Sequence, residues 1–526
     1  MGLDRLVGTA PERLDMTDRT NDSRGYPDRV DVAIIGSGPA GAAYARILSE
    51  RSPGASIALF EVGPTISDPP GTHVKNIADL QERARAQRRS EGPRPQGETS
   101  TDTLDGYATD AARMQRAGTF LLGAGWQQPG EDGLPAAAMS SNVGGMAAHW
   151  TGACPRPGDS ERIAFLPDLD ELLDEAERLL SVTADALGDA PLAGDVRARL
   201  SAALDGGRTA DRRVQPMPLA VRRTEDGALI WSGSDVVFGD ATRENERFTL
   251  FDESLVTRVL TEDGAASGVT VRDRRTGTEH DVAARFVVVA ADSLRTPQVL
   301  HASGVRPEAL GLYLNDQPQM VHGAILTDVP EVPTASGSDT AITAQSGVSW
   351  VPFTDEHPFH GQVMQLDASP VPLDFETIPG SIVGLGWFCA KDLQASDRVA
   401  FSDDETDEYG MPALRIHYTL TEKDRETQAR ARESILAAAL AVGRPLGDEP
   451  RLFPAGASLH YQGSVRMGET DDGTSVCDPT GQVWGHPGLF VAGNGVIPTA
   501  TACNPTLTGV ALAVRGARRI AEELGR

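Results

Sequence analysis

The chain has 526 residues, of which 40% are hydrophobic and 23% charged, as in ordinary folded proteins. This length predicts more than one domain, and no apolar run approaches the ~20 residues that a membrane-spanning helix needs. Asp and Glu outnumber Lys and Arg by 75 to 48, so the net charge is −27. Such a surface repels nucleic acid phosphates and anionic lipids, and we expect neither nucleic acid nor membrane as a partner.

The first segment, residues 1–28, is polar and charged and has no apolar core of a secretion signal. We predict that it forms a mobile tail. The four cysteines lie far apart and form no CxxC pair, which favours a reducing compartment over a disulfide framework. The expected location is therefore the cytoplasm.

A strand, a glycine-rich turn and a helix follow the tail. The apolar run 31–35 is typical of a buried parallel strand, and it continues into Gly36-Ser-Gly-Pro-Ala-Gly41 and an Ala-rich helix. A second strand, 57–60, is followed by Glu61, twenty residues past Gly41. This βαβ context predicts a dinucleotide site and makes a ligand-free glycine turn the weaker alternative.

Each residue of this turn has a predicted role. Gly36 permits the tight turn, Gly38 lets the backbone approach a diphosphate, and Gly41 lets helix and strand pack closely. Pro39 and Ala40 open the helix, whose free N–H groups and dipole favour the diphosphate. Glu61 is expected to accept hydrogen bonds from the adenosine ribose.

The rest of the chain alternates between helical and strand-like patterns. Residues 64–135 are rich in Pro, Gly, Arg and Gln, and form an excursion, an arm or a lid. The later predicted elements are helices over 167–205, strands over 247–289, an antiparallel sheet over 316–420, a helix over 421–442, a strand at 489–492 and a helix over 506–524.

Two segments favour FAD over NAD. The strand and turn at 286–292 and the strand at 489–494, followed by the last helix, are features found late in FAD-binding domains. Asn504 at or near the N-cap and Pro505 at the first helical position mark the start of that helix. Its positive end would favour the anionic ring of a reduced flavin.

Several motifs resemble those of the glucose–methanol–choline (GMC) oxidoreductases, and among them the pyranose oxidases and bacterial glycoside 3-oxidases. They are Val143-Gly-Gly-Met146, His149-Trp-Thr151, Leu459-His460, Arg466-Met-Gly468, Gly493-Asn-Gly495, Ile497-Pro-Thr499, Asn504-Pro-Thr-Leu-Thr508, His357-Pro-Phe-His-Gly-Gln362, and the segment from Phe401-Ser-Asp403 to Tyr409-Gly-Met-Pro412. The likeness covers most of 30–62, 139–157 and 245–524.

This resemblance implies an α/β FAD-binding Rossmann-like domain with an inserted α+β substrate-binding domain, as in p-hydroxybenzoate hydroxylase. The implied FAD-binding domain comprises 29–63, 136–157, 245–312 and 456–526, and the implied substrate-binding domain comprises 158–244 and 313–455.

The resemblance also implies the cofactor contacts. His149 falls where pyranose oxidases attach the flavin covalently, but Ala147 and Ala148 replace the usual hydroxyl-bearing pair, so covalent and non-covalent FAD both stay open. Glu61 and the backbone of Val256 would bracket the adenine end. The other implied cofactor-binding residues are Gly145, Met146, Trp150, Thr151, Ala291, Asn494, Pro505 and Thr506.

His460 falls at the family's catalytic histidine and Asn504 at its partner. Removing a sugar hydroxyl proton needs a base of near-neutral pKa, which imidazole provides. Asn504 would hydrogen-bond the same oxygen as negative charge develops.

The substrate implied by the resemblance is a sugar or glycoside. Gln362 and Asp367 are candidate sugar contacts, and no metal site is expected. Loop 362–375 differs from that of fungal pyranose oxidases, and an arginine expected near 386–388 is missing, which favours a glycoside over free glucose.

The predicted reaction is FAD-dependent oxidation of a secondary pyranose hydroxyl at C3 or C2, with O2 or a quinone as electron acceptor. One alternative is a sugar or sugar-acid dehydrogenase subunit that passes electrons to a haem or membrane partner. Another is a flavin-binding protein without catalysis. The sequence specifies no oligomeric state.

Overall fold

The computed structural model describes residues 25–93, 108–110, 113–115, 117–122, 124–328, 347–366, 378 and 380–526. None of the helices in these ranges is long and apolar enough to cross a membrane. The α-helices span Pro39–Arg51, Leu80–Ser90, Leu169–Leu180, Ala193–Leu204, Ser234–Arg243, Asp292–Ala302, Glu422–Val442 and Thr506–Leu524.

The first sheet has seven strands and a parallel centre. In spatial order the strands are Phe248–Phe251, Ile57–Phe60, Arg29–Ile35, Glu279–Val289, Ala265–Asp273 and Ser254–Glu262, with Leu489–Val491 branching from Glu279–Val289. The long strand Glu279–Val289 pairs in parallel with Arg29–Ile35 along one side. Its other side pairs with the antiparallel Ala265–Asp273 first and then with the parallel Leu489–Val491.

Two helices pack against each other beside this sheet. Helix Thr506–Leu524 packs against helix Pro39–Arg51, and both bury their apolar residues in the largest hydrophobic core. Small residues on the first helix, such as Ala42 and Ala43, are fully buried and permit this close approach. As a result, the N-termini of both helices lie at the carboxyl edge of the parallel strands, where open α/β sheets bind ligands.

The second sheet is almost entirely antiparallel and also has seven strands. In spatial order they are Gly443–Pro445, Gln319–Leu326, Ile382–Cys389, Phe359–Leu366, Val348–Val351 and Gln215–Pro216, with Arg451–Leu452 also pairing with Gln319–Leu326. One face, with Trp387 and Leu385, packs on helix Glu422–Val442. Because side chains alternate along a strand, Phe388 points the other way, and its ring lies 5.2 Å from that of His460.

Four two-stranded sheets accompany the two large sheets in the described residues. They are Ala108–Asp110 with Arg113–Gln115, Phe120–Leu121 with Ala138–Met139, Val221–Arg223 with Leu229–Trp231, and Arg398–Thr406 with Pro412–His417. The predicted fold class is confirmed: a mostly parallel dinucleotide-type sheet carries a second, antiparallel unit whose helices cover one face.

The tail prediction is wrong at its end. Tyr26 donates or accepts a hydrogen bond of 2.7 Å with Ser254 Oγ, and its ring lies 5.2 Å from that of Phe251. An aromatic residue with a hydroxyl gains both contacts by packing at the sheet edge, so residues 25–28 belong to the folded part. Residues 1–24 lie outside the described residues.

Candidate active site

A cavity of about 300 Å³ lies where the carboxyl edge of the first sheet meets the second unit. It is lined by segments that are distant in sequence: 35–40, 60–62, 138–141, 145–147, 149–151, 254–256, 290–293, 458–461, 493–494, 504, 506 and 509–510, with further single residues between them. The predicted nucleotide turn and the predicted catalytic pair therefore open into one space.

The glycine turn begins at Gly36, which has a φ of +99°, a backbone conformation that favours glycine. A Cβ at Gly36 would lie 2.4 Å from the carbonyl oxygen of Ala290, so this position also lacks room. A Cβ at Gly38, by contrast, would have no protein atom within 4 Å. A Cβ at Gly41 would lie 2.0 Å from the carbonyl oxygen of Gly36, so Gly41 serves packing and does not line the cavity.

Gly38 is the N-cap of helix Pro39–Arg51, and neither a side-chain cap nor an acidic residue neutralises the first turn. Its N–H groups and the positive end of the helix dipole are therefore available to an anion in the cavity. The open space at Gly38 is what a diphosphate on this helix would require.

Glu61 is buried at the end of its strand and connects three backbone segments. Its Oε2 accepts hydrogen bonds from the N–H (3.0 Å) and hydroxyl (2.6 Å) of Ser37, and its Oε1 accepts one from Gly63 N–H (2.9 Å). The Ser37 hydroxyl in turn accepts a hydrogen bond from Gly144 N–H. Burial raises the pKa of Glu61. In this structure Glu61 holds the glycine turn, and the ribose contact stays a prediction.

The last helix presents a second N-terminus to the cavity. It begins at Thr506, as the predicted range 506–524 has it, but Pro505 is its N-cap and not its first helical residue. Asn504 and Thr506 line the cavity, while Pro505 does not. No side chain caps this end and its first turn contains no acid, so its positive end remains available to an anionic ligand.

His460 and Asn504 lie together. Asn504 Nδ2 is 3.2 Å from His460 Nε2, and both residues line the cavity. On the opposite side of the ring, His460 Nδ1 is 2.7 Å from Gln317 Oε1. The ring of Phe388 packs on the imidazole from the second sheet. A base and an amide donor at one end of a flavin-sized cavity suit proton removal from an alcohol.

The backbone before His460 has an unusual conformation. Leu459 has a φ of +61°, a left-handed conformation that costs a non-glycine residue on the order of 1–3 kcal/mol. Asp316 holds this turn, since its carboxylate accepts hydrogen bonds from Gly456 N–H (2.9 Å) and from the Ser458 hydroxyl. Ser458 Oγ then accepts a hydrogen bond from His460 N–H at 3.1 Å. These contacts aim the imidazole at the cavity.

Comparison with protein families gives two matches, both to GMC oxidoreductase domains. The N-terminal family domain matches residues 168–319, and the C-terminal one matches residues 395–513. A C-glycoside 3-oxidase of Microbacterium trichothecenolyticum is 66% identical over 95% of this chain and 98% of its own length. The chain belongs to the GMC oxidoreductase family. It is therefore an oxidoreductase, and GMC oxidoreductases are flavoproteins that bind FAD.

Further relatives span the same branch. A C-glycoside 3-oxidase of Arthrobacter globiformis is 65% identical over 95% of this chain and 96% of its length. A pyranose 2-oxidase of Tricholoma matsutake is 32% identical, with 94% of each chain covered. The resemblance stated from motifs is thus confirmed.

Solved structures agree on the fold. Pyridoxine 4-oxidase from Mesorbium loti superposes with a TM-score of 0.60 at 19% identity, covering 93% of this chain and 99% of its own. A formate oxidase of Aspergillus oryzae RIB40 superposes with a TM-score of 0.64 at 15% identity, covering 95% and 99%. At these identities the likeness shows the GMC fold alone.

Most residues predicted from this family's pattern surround the cavity. The predicted cofactor-binding residues that line it are Gly36, Gly38, Pro39, Ala40, Glu61, Gly145, Met146, His149, Trp150, Thr151, Val256, Ala291, Asn494 and Thr506. Two open, acid-free helix N-termini, at Pro39 and Thr506, border the cavity. The described residues therefore fit an elongated dinucleotide such as FAD.

His149 lines the cavity. Its Nε2 is 3.3 Å from Asn142 Oδ1, and the Asn142 amide group donates to Val143 O and Gly145 O, so Oδ1 must accept. Its Nδ1 is buried against Gly118 and has no hydrogen-bond partner among the described residues. Burial lowers the pKa of His149 to about 4, so the ring is neutral at pH 7.

The substrate candidates fare differently. Gln362 lies on strand Phe359–Leu366, is 8% exposed and does not line the cavity. Its amide nitrogen is 3.5 Å from Met364 Sδ on the same strand. Gln362 shares the strand face of His360, whose ring stacks on Phe388, so a sugar contact by Gln362 stays a prediction. Asp367 lies outside the described residues.

Sequence reasoning missed two residues that hold the site. Gln317 contacts His460 across 143 positions, and buried Glu161 accepts hydrogen bonds from Ala502 N–H (2.8 Å) and Cys503 N–H (2.9 Å), just before Asn504. A Gln before a strand and a Glu in a loop carry no local pattern that points to a site. A buried carboxylate at position 161 becomes meaningful only once the loop at 502–503 lies beside it.

Proposed function

We propose that this protein is an FAD-dependent oxidase that oxidises a secondary ring hydroxyl of a glycoside at C3. The observation that carries the proposal is the His460–Asn504 pair at the end of the dinucleotide cavity. The names of the two relatives at 65–66% identity, both C-glycoside 3-oxidases, supply the substrate class and the position. A C-linked glycoside is accordingly the first substrate to test.

His460 supplies the base. An unaided sugar hydroxyl is a very weak acid, so a positioned imidazole contributes roughly 10²–10⁴-fold by accepting the proton. The nitrogen that faces Asn504, Nε2, also faces the cavity end and is the atom that receives this proton. Phe388 packs on the ring and excludes water from one side of it.

Asn504 stabilises the charge that develops. As the hydroxyl loses its proton, its oxygen becomes more negative, and the Asn504 amide can donate to it. A donor placed in this way contributes roughly 10²–10³-fold when water is excluded. Asn504 is 5% exposed, and Glu161 holds the preceding backbone, so the donor is preorganised.

FAD, when bound, supplies the acceptor for the hydride that leaves the same carbon. Gly38 and the first helix would hold the diphosphate, Glu61 and Val256 the adenosine end, and the loop 145–151 with Thr506 the ring system. The last helix would stabilise negative charge on the flavin.

We further propose that FAD is bound without a covalent link. Formation of the link requires a lone pair on a His149 nitrogen that faces the cavity. Nε2 carries its proton toward Asn142, and Nδ1 is buried against Gly118. Acid precipitation of the purified protein tests this: yellow colour in the supernatant is expected, and a yellow pellet that loses its colour in His149→Ala would overturn it.

The substrate experiment is anaerobic reduction of the purified yellow protein. The protein is mixed with free sugars, O-glycosides or C-glycosides in turn. The decrease of flavin absorbance with time, at each sugar concentration, gives the bleaching rate. Bleaching by C-glycosides with a 3-keto product by NMR supports the proposal. If free glucose bleached the flavin faster and gave a 2-keto product, the protein would be a pyranose 2-oxidase and the proposal would be wrong.

We propose O2 as the electron acceptor, on the basis that the relatives named above are oxidases. Peroxide release under air, equal to the glycoside consumed, is the expected result. Reduction of a quinone dye without peroxide would favour a quinone acceptor. The dehydrogenase-subunit alternative is not favoured, because the two relatives at 65–66% identity carry the oxidase name.

We propose the cytoplasm as the location. The four cysteines are buried free thiols in the structure, which suits a reducing compartment. Fractionation of the native cells with antibody detection tests this, and recovery in the culture medium would contradict it.

A further inference from the structure

Gln317 occupies a position that joins the two halves of the catalytic pair. It lies just before strand Gln319–Leu326 and is 1% exposed. Its amide nitrogen donates to two backbone carbonyls, Thr501 O at 2.9 Å and Cys503 O at 2.8 Å. Its amide oxygen is 2.7 Å from His460 Nδ1.

The two carbonyls fix the orientation of this amide. A carbonyl oxygen can only accept, so the NH2 group of Gln317 must face Thr501 and Cys503. Rotating the amide by half a turn would place Oε1 against two oxygens and leave two buried carbonyls without this donor. The oxygen therefore faces His460.

The orientation of the amide in turn fixes the proton on His460. Because Gln317 Oε1 only accepts, Nδ1 must carry the hydrogen. In the neutral ring, Nε2 then has the lone pair. Asn504 Nδ2, at 3.2 Å from Nε2, can then donate a hydrogen bond to this lone pair. The opposite tautomer would carry a proton on Nε2 and could not take one from a substrate hydroxyl.

We infer that Gln317 is a positioning residue that holds His460 in the Nδ1-protonated tautomer and, through Thr501 and Cys503, fixes the loop that carries Asn504. One side chain thereby sets both the lone pair of the base and the place of the amide donor. The effect on turnover rests on the proposed function, whereas the tautomer itself does not.

The neighbouring residue completes the arrangement. Asp316 holds the backbone turn before His460 through Gly456 N–H and Ser458. Consecutive side chains of one segment thus orient the backbone and the ring of the same histidine. Both residues are 1% exposed, so water does not compete for these hydrogen bonds.

The test compares Gln317→Met, which keeps the size but loses the hydrogen bonds, with the parent holoenzyme. The direct readout is the 15N spectrum of protein labelled on its ten histidines, with the His460 signals identified by their loss in His460→Ala. We expect a protonated Nδ1 and a bare Nε2 in the parent. We expect a mixture of tautomers in Gln317→Met.

The kinetic readout is the anaerobic bleaching rate with a saturating glycoside. In Gln317→Met it should fall by up to roughly 10⁴-fold, the loss seen when a catalytic histidine is held in the wrong tautomer. KM should change less than about threefold, because a positioning residue acts on the chemical step. Gln317→Glu keeps an oxygen toward Nδ1 but turns its second oxygen toward the carbonyl oxygens of Thr501 and Cys503, so it should keep the Nδ1 proton while recovering only part of the lost rate.

Gln462→Met is the matched control. Gln462 is also fully buried and accepts a hydrogen bond from the Thr501 hydroxyl at 2.9 Å, but it does not reach the His460 ring. The Gln462→Met substitution should lower Tm but leave the His460 15N pattern unchanged.

Two results would overturn the inference: an unchanged 15N pattern in Gln317→Met, whatever its rate, or the same tautomer change in Gln462→Met. If Gln317→Met does not fold, the 15N spectrum of Gln317→Glu is measured instead. Loss of the Nδ1 proton of His460 in that variant would also overturn the inference. Absence of bleaching by any glycoside in the parent refutes the proposed function and leaves the 15N test intact.

Discussion

The nucleotide turn and the catalytic pair use different kinds of groups to contact a ligand. At the nucleotide end, the groups that face the ligand belong to the backbone: the turn at Gly36 and Gly38 and the first N–H groups of a helix. At the catalytic end they belong to side chains, and each is held by further buried side chains. The nucleotide end should therefore fail when a Cβ is added, and the catalytic end when a hydrogen bond is removed.

The largest expected effect tests the backbone end with a pair of glycines. Gly36→Val should abolish FAD binding, because its Cβ overlaps the Ala290 carbonyl oxygen and its φ of +99° disfavours a branched residue. Gly38→Ala should fold normally, since no protein atom lies within 4 Å of its Cβ, but should weaken FAD binding by roughly tenfold or more.

Flavin titration of the apoproteins and circular dichroism separate the two effects. Gly54→Ala, at a site with similar free space far from the cavity, is the control. Equal FAD affinity in Gly38→Ala and the parent would show that the diphosphate does not lie over this turn.

The next largest effect tests the base. His460→Ala should keep FAD and Tm near the parent values and slow anaerobic bleaching by roughly 10²–10⁴-fold, because proton removal loses its acceptor. Stopped-flow absorbance gives the rate and the flavin spectrum gives occupancy. Bleaching as fast as in the parent would remove His460 from the mechanism.

A smaller effect tests the donor. Asn504→Ala should slow bleaching by roughly 10²–10³-fold, because the developing negative charge loses one preorganised hydrogen bond. Asn504→Ser, with a shorter donor, should lose less. The same stopped-flow measurement ranks the two, and an unchanged rate in Asn504→Ala would contradict the assigned role.

The last prediction concerns stability and a histidine one layer behind the site. His360 is 0% exposed, its ring stacks on Phe388, and neither ring nitrogen has a partner among the described residues. Burial lowers the pKa of His360 to about 3. The unfolded chain takes up this proton near pH 6.5, so the free energy of unfolding falls as pH drops from about 6.5 to 3.

His360→Phe should remove this dependence, which amounts to on the order of 5 kcal/mol across the whole window. Urea unfolding at several pH values between 4 and 7 measures it as a difference from the parent. His280→Phe, at an exposed position, is the control and should follow the parent. Parallel pH curves for His360→Phe and the parent would contradict the prediction.

Local patterns predicted much of the fold. The strand Ile57–Phe60 was predicted to the residue, as was helix Thr506–Leu524, and helix Glu422–Val442 to within one residue. Continuous apolar runs and capping residues act within one element, so a single sequence contains them. Tyr26 was missed because its partners, Phe251 and Ser254, are more than 200 positions away.

The residues of the candidate site divide in the same way, into those that a local pattern or motif predicts and those that only distant contacts reveal. Gly36, Gly38 and Glu61 were predicted from spacing, and His460 and Asn504 from a family resemblance. The sugar contacts predicted for Gln362 and Asp367 stay predictions, because Gln362 does not line the cavity and Asp367 lies outside the described residues. Gln317 and Glu161 carried no signal, since their role is to hold other residues.

By itself, the sequence determined the βαβ turn, because hydrogen bonds and steric limits among neighbouring residues suffice to specify it. Only the tertiary structure decided that residues 316–317, 458–460 and 501–504 meet, and which nitrogen of His460 carries the proton. That choice depends on two backbone carbonyls more than 40 positions away from the histidine. A hydrogen bond acts over about 3 Å of space, whatever the distance along the chain.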